Sequence, residues 1–194
     1  MRATMILTAC AIVVTGCGPK ENKAAADSAA QADSAAKAAS MAPSTPAGAT
    51  AMVMDAAGHE LGSLTLADGS GGITVSGTLK GLAPGDHGIH VHTVGMCEGP
   101  AYTTAGGHWN PTTKMHGKDN PAGPHLGDMM NITVGADSTA TVQITTMGGS
   151  LHGADMLMDA DGAAVVVHAK ADDYKTDPSG NSGDRIACGV IKGS

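Results

Sequence analysis

The chain has no phenylalanine, one tryptophan and two tyrosines among its 194 residues. A core cannot then rest on aromatic rings, so Val, Ile, Leu, Ala and some of the twelve methionines are expected to fill it. Charge is sparse as well, and its basic share is small: 11 Lys and Arg stand against 18 Asp and Glu, for a net charge of -7. Such a balance excludes the basic footprint of a nucleic-acid binder and of a protein that docks on an anionic membrane face. No apolar run approaches the roughly 20 residues that a spanning helix needs.

The longest apolar run, residues 5–14, follows Arg2 and leads into Val14-Thr-Gly-Cys17. Residues 1–16 have the proportions of a secretory signal. The small residues before Cys17 resemble a bacterial lipoprotein signal, whose removal leaves Cys17 as a lipidated N-terminus, and Gly18 rather than Asp favours outer-membrane sorting. Residues 17–50, rich in Ala, Ser and Pro, have no apolar stripe with which to dock a helix, and a flexible tether is expected. As a coil it spans on the order of 30 Å. The expected setting is the bacterial cell envelope, facing the periplasm, with the membrane reached only through the lipid.

From residue 51 to 194 the pattern changes to short alternating segments divided by Gly and Asp. Strands are expected at 51–55, 60–66, 72–79, 87–93, 129–134, 140–146, 163–169 and 185–191. Eight short strands without an amphipathic helix imply an all-β antiparallel sandwich or flattened barrel. Two long segments between strands, 94–128 and 170–184, are expected to carry function.

Five of the nine histidines fall between His90 and Asp128. His90 and His92 flank Val91 on an expected strand, so alternation sends both imidazoles to one face and Ile89 and Val91 to the other. Beyond them an irregular stretch returns His108, His116, His125 and Asp128, a closed tetrahedral zinc set of three imidazoles and a carboxylate. The strand pair needs partners from elsewhere, and His168, outward at the end of Ala163-Ala-Val-Val-Val-His, is the candidate. Seven ligands close two four-coordinate sites only if one is shared, and imidazole has two nitrogens that point apart. His87, out of phase with the pair, is expected to be a hydrogen-bonded structural residue, and His59 and His152 to be exposed.

Gly88-Ile-His-Val-His92, Ala105-Gly-Gly-His-Trp-Asn-Pro111, His125-Leu-Gly-Asp128, Val166-Val-His168 with Lys170-Ala-Asp-Asp173, and Arg185-Ile-Ala-Cys-Gly-Val-Ile191 occur in order and at compatible spacing. Together they resemble a copper, zinc superoxide dismutase of bacterial type. The resemblance implies an eight-stranded Greek-key barrel that disproportionates superoxide to dioxygen and hydrogen peroxide by copper redox cycling. It assigns copper to His90, His92, His108 and His168, and zinc to His108, His116, His125 and Asp128, with His108 as the bridge and proton carrier. Asp172 then links a copper histidine to a zinc histidine, His90 and His116 being the plausible pair. Cys97 and Cys188 form a disulfide, and Arg185 docks the substrate anion. Ile89 and Trp109 stand where phenylalanines are common. Local attraction of the anion is open to Arg185, Lys114, Lys118, Lys170 and Lys175. The rival reading is a non-catalytic copper- and zinc-binding envelope lipoprotein, which needs neither a docking arginine nor a shared histidine. The oligomeric state is not legible.

Overall fold

Nine strands carry the described residues, 48–153 and 156–194, of the computed structural model. They are β1 (Ala49–Asp55), β2 (Glu60–Gly69), β3 (Gly72–Lys80), β4 (Gly85–His87), β5 (Ile89–His92), β6 (Ile132–Val134), β7 (Thr139–Thr145), β8 (Ala164–His168) and β9 (Arg185–Gly193). The expected signal peptide, Cys17 and nearly all of the tether lie outside the described residues.

Seven strands form one curled antiparallel sheet in the order β5-β8-β9-β1-β2-β3-β7, and β4 pairs with β6. After the β1-β2-β3 meander the chain leaves β3 for β4, and β7 takes the vacated edge of β3, which is a Greek-key crossing. The eight expected strands become nine because 87–93 is divided at Gly88, whose N–H donates to Lys170 O at 2.8 Å while its carbonyl accepts from His168 N at 2.8 Å. The expected 129–134 strand shortens to β6, since Met129 and Met130 belong to the preceding loop, and β1 begins at Ala49 rather than at 51.

Alternation explains which faces are buried. Ala49, Ala51 and Val53 of β1, Ile73 and Val75 of β3, Ile89 and Val91 of β5, and Val165 and Val167 of β8 point into one core. Leu61 and Leu64 of β2 are both buried although three residues apart. A register shift opposite Val53/Met54 accounts for this, with Gly62 at φ +148 inside the bulge. Between β7 and β8 the described residues 146–153 and 156–163 contain no named strand, and Leu151 and Leu157 join the same core. The core is thus built from Val, Ile, Leu and Ala around Trp109. Met129 is its one fully buried methionine among the described residues, whereas Met52, Met96, Met115, Met130 and Met156 are exposed. Filling with methionine, as composition suggests, is not how this interior is made.

The opposite face of β5 and β8 is buried too, with Ala164 and Val166 of β8 and Cys188 of β9 packed against Tyr102, Ala105 and Cys97. Val91 N–H donates to Gly127 O and Trp109 N–H to Val91 O, at 2.9 and 2.8 Å, so the long segment pairs with the free edge of β5. That edge pairing brings His108 beside His92.

Candidate metal centre

His90 and His92 project from β5 on the side away from the main core, and His168 projects the same way from the end of β8. His108 completes a group whose four ligand nitrogens all lie within 4.8 Å of one another. Each ring has its far nitrogen occupied. His90 Nε2 lies 2.7 Å from Asp172 Oδ2, His92 Nδ1 3.0 Å from Gly106 O, and His168 Nδ1 3.2 Å from Gly183 O. Oxygen acceptors at those positions fix the tautomers, so the lone pairs of His90 Nδ1, His92 Nε2 and His168 Nε2 point at one another. These three atoms and His108 Nε2 are buried and have no hydrogen-bond partner among the described residues. Four converging, unpartnered lone pairs in a buried site suit a borderline-soft cation that favours imidazole.

His108 presents its other nitrogen to a second group. His108 Nδ1, His116 Nδ1 and His125 Nδ1 lie 2.9, 3.0 and 3.2 Å from Asp128 Oδ1. Asp128 Oδ2 is turned away and accepts from Gly117 N–H at 2.8 Å and His125 N–H at 3.0 Å. One carboxylate oxygen therefore remains with three imidazole nitrogens, the donor set of a tetrahedral zinc site. Asp172 joins the two groups: its Oδ2 takes His90 Nε2, and its Oδ1 takes His116 Nε2 at 3.0 Å.

The charges follow from this packing. Burial, aided by neighbouring imidazoles, pushes His90 down to about 3 and His168 to about 4, and it lowers His92 and His108 as well. At neutral pH these rings are unprotonated, as metal ligands must be. For His116 burial opposes the cation, yet Asp128 and Asp172 on its two nitrogens outweigh it and raise the ring to about 9. Burial likewise disfavours the Asp128 carboxylate, but its histidine and backbone donors hold it far below the usual carboxylate range.

These shifts set the acid behaviour of the metal-free protein. The unfolded chain takes up histidine protons near 6.5, but the folded chain only near 3 at His90 and near 4 at His168. Within that window the unfolded state holds more protons, so stability falls as pH falls. His116 works oppositely: its contribution is whole below 6.5 and is lost as pH rises through about 9. Calorimetric scans of chelator-treated protein are expected to show a lower Tm at pH 5 than at pH 7, and equal values would contradict the buried-neutral assignment.

Arg185 opens β9 opposite His168. Its Nη1 donates to Tyr102 O and its Nη2 to Gly106 O, each at 2.7 Å, so Gly106 O receives both the arginine and His92. The loop that supplies these carbonyls is tied down by the Cys97–Cys188 disulfide, whose Cα atoms are 5.6 Å apart, and by Tyr102 Oη, which donates to Met54 O at 3.2 Å. A cleft of about 350 Å³ opens onto His92, His108, His168 and Arg185, and among the described residues Arg185 is the one lysine or arginine lining it. Lys118 is engaged elsewhere, bonded to Asp119 at 2.9 Å and placed 4.5 Å over the Tyr174 ring.

Residues 60–191 match the family described as copper/zinc superoxide dismutase (SODC). The Cu-Zn superoxide dismutase of Caulobacter vibrioides is 43% identical over 148 residues, which cover 74% of this chain and 85% of the relative. The chain belongs to the copper/zinc superoxide dismutases. A crystal structure of a SOD-like protein from Bacillus subtilis superposes with a TM-score of 0.70 at 37% identity, covering 73% of this chain and 96% of that one. The Cu/Zn superoxide dismutase from Brucella abortus gives 0.62 at 26% identity, over 75% and 99%. As a copper/zinc superoxide dismutase the chain is an oxidoreductase of a family that uses both metals, and its two histidine groups are able to bind them.

All seven expected ligand positions of this superoxide dismutase meet in two groups that share His108. His87 is buried, with Nδ1 2.7 Å from His168 O and Nε2 2.8 Å from Ala83 O, while His59 and His152 are exposed. Sequence reasoning missed Tyr102, Gly106 and Asn131. The first two act through backbone carbonyls, which leave no trace in residue type. Asn131 stands only three residues beyond Asp128 and would have been found by asking what holds the second long segment.

Proposed function

We propose that this protein removes superoxide at a copper site formed by His90, His92, His108 and His168, supported by zinc held by His108, His116, His125 and Asp128. The observation that carries this reading is the single ring of His108, with Nε2 among the first three nitrogens and Nδ1 among the second set. A store for metal has no need of a shared imidazole. When bound, copper supplies a one-electron couple that alternately oxidises and reduces superoxide, and zinc supplies fixed charge and geometry without redox change.

The chain's own residues do the rest. Arg185 docks the anion at the cleft: a guanidinium carries five N–H donors and a charge that does not titrate away, and two of its nitrogens are already anchored by carbonyls that fix its orientation. His108 Nε2 takes up one proton and returns it to the reduced oxygen species, a role open to the ring because burial disfavours its cation. The second proton of hydrogen peroxide comes from water. Asp172 holds His90 and His116 in their tautomers.

The test is reconstitution with copper and zinc, with superoxide removal measured alongside metal content. Turnover above that of free copper supports the reading, and two tightly held metals without turnover would overturn it. Arg185→Ala is expected to lower kcat/KM about 10- to 100-fold, equivalent to about 1.4 to 2.7 kcal/mol, with copper and zinc still bound. Its salt dependence should flatten as well, because the local charge that draws the anion is gone.

The N-terminal reading is a proposal resting on sequence alone: Cys17 carries lipid and holds the domain at the periplasmic side of the envelope. Cys17→Ser is expected to move the protein from the membrane fraction to the soluble one in fractionated bacterial cells. An unchanged distribution refutes it.

A further inference from the structure

Asp172 can join the two ligand groups only if the segment 169–184 holds its backbone still, and that segment contains no strand or helix. Asn131, just before β6, meets it at two points. Its Nδ2 donates to Asp172 O at 3.0 Å, and its Oδ1 accepts from Asp172 N–H at 2.9 Å. A primary amide has one donor edge and one acceptor edge, and here they pair with both backbone groups of one residue, as a neighbouring strand would. The backbone N–H of Asn131 also donates to Tyr174 Oη at 2.9 Å, two residues further along the same segment. Against the carboxylate itself stands Gly180, at φ +64, where any Cβ would overlap Asp172 Oδ1. Asp172 is therefore gripped through its main chain by Asn131 and closely packed at its side chain by Gly180.

We propose that Asn131 is the positioning residue for Asp172, setting where its carboxylate stands between His90 and His116 while touching no ligand itself. The proposal rests on the two ligand sets assigned above. Removing the amide leaves Asp172 in the chain but frees its backbone. The His116 tautomer then loses a fixed partner on Nε2, and zinc is held less tightly through His116 Nδ1.

The test is a double-mutant cycle in the full chain with zinc affinity, measured by chelator competition, as the readout. Asn131→Ala and Asp172→Ala are each expected to weaken zinc binding by about 10- to 100-fold, and the double variant by no more than Asp172→Ala alone. Asn131→Asp keeps the size and the acceptor but sets an oxygen against Asp172 O, and it should behave as the alanine variant does. The copper(II) visible absorption and EPR spectra of loaded protein should shift alike in both Asn131 variants, because His90 shares the carboxylate. Additive losses in the double variant would overturn the proposal, as would unchanged zinc affinity in Asn131→Ala. So would metal-free Asn131 variants that no longer fold, since the residue would then be carrying the barrel rather than the carboxylate. If instead the unaltered protein binds no zinc, it is the ligand assignment that fails, and the cycle separates the two cases.

Discussion

His168→Ala is expected to reduce superoxide removal by the reconstituted protein about a thousandfold or more, a loss of at least about 4 kcal/mol of transition-state stabilisation. The reasoning is geometric. His168 is the one nitrogen of its group that comes from β8, it is 3% exposed, and its Nε2 has no other partner among the described residues. Alanine there leaves three nitrogens and an opening on the cleft side, where water enters. The second group does not use His168, so zinc content should stay near one per chain while copper is held weakly and without selectivity. Metal analysis together with the activity assay decides the matter. Retained turnover, or loss of zinc along with copper, would sink the division into two sets.

Breaking the Cys97–Cys188 bond should have the largest effect on stability. It closes a loop of 91 residues, and the chain-entropy relation assigns such a loop about 4 to 5 kcal/mol at 25 °C. For a domain of this size that corresponds to a fall in Tm of roughly 10 to 15 °C. A paired Cys97→Ser, Cys188→Ser variant, scanned by calorimetry in the metal-free state, provides the measurement. A difference of only a degree or two would mean that the loop is already ordered in the unfolded ensemble. The same bond also secures the loop that offers Tyr102 O and Gly106 O to Arg185. The variant should therefore lose kcat/KM even at temperatures where it remains folded, in the direction of Arg185→Ala.

The residues of the two clusters were legible because each carries its chemistry in its side chain and because period-2 alternation fixed the outward face of His90, His92 and His168. The strand plan was legible for the same reason, down to the inward Val165 and Val167. What escaped were features that live in the backbone. The division of the expected 87–93 strand at Gly88 depends on carbonyl and amide partners near residues 168 and 170, far along the chain. The bulge at Gly62 shifts the alternation of β2 by one residue, so that Leu61 and Leu64 share a face. The methionines misled for a different reason: a composition without phenylalanine suggests that methionine fills the interior, yet among the described residues the packed strands of Val, Ile, Leu and Ala bury only Met129 fully, with Met158 at their margin.

The place of β9 has a kinetic consequence. It lies between β8 and β1, so the first strand and the eighth cannot be joined until residues 185–193 arrive. That one event delivers Cys188 to Cys97 and Arg185 to its two carbonyls, and it brings together segments well over a hundred residues apart. Loop-closure entropy must be met before any of these contacts gives a return, which places barrel closure on the millisecond-to-second scale typical of non-local β topologies. Arg185, proposed above to dock the substrate, therefore reaches its place in the same slow step that completes the sheet.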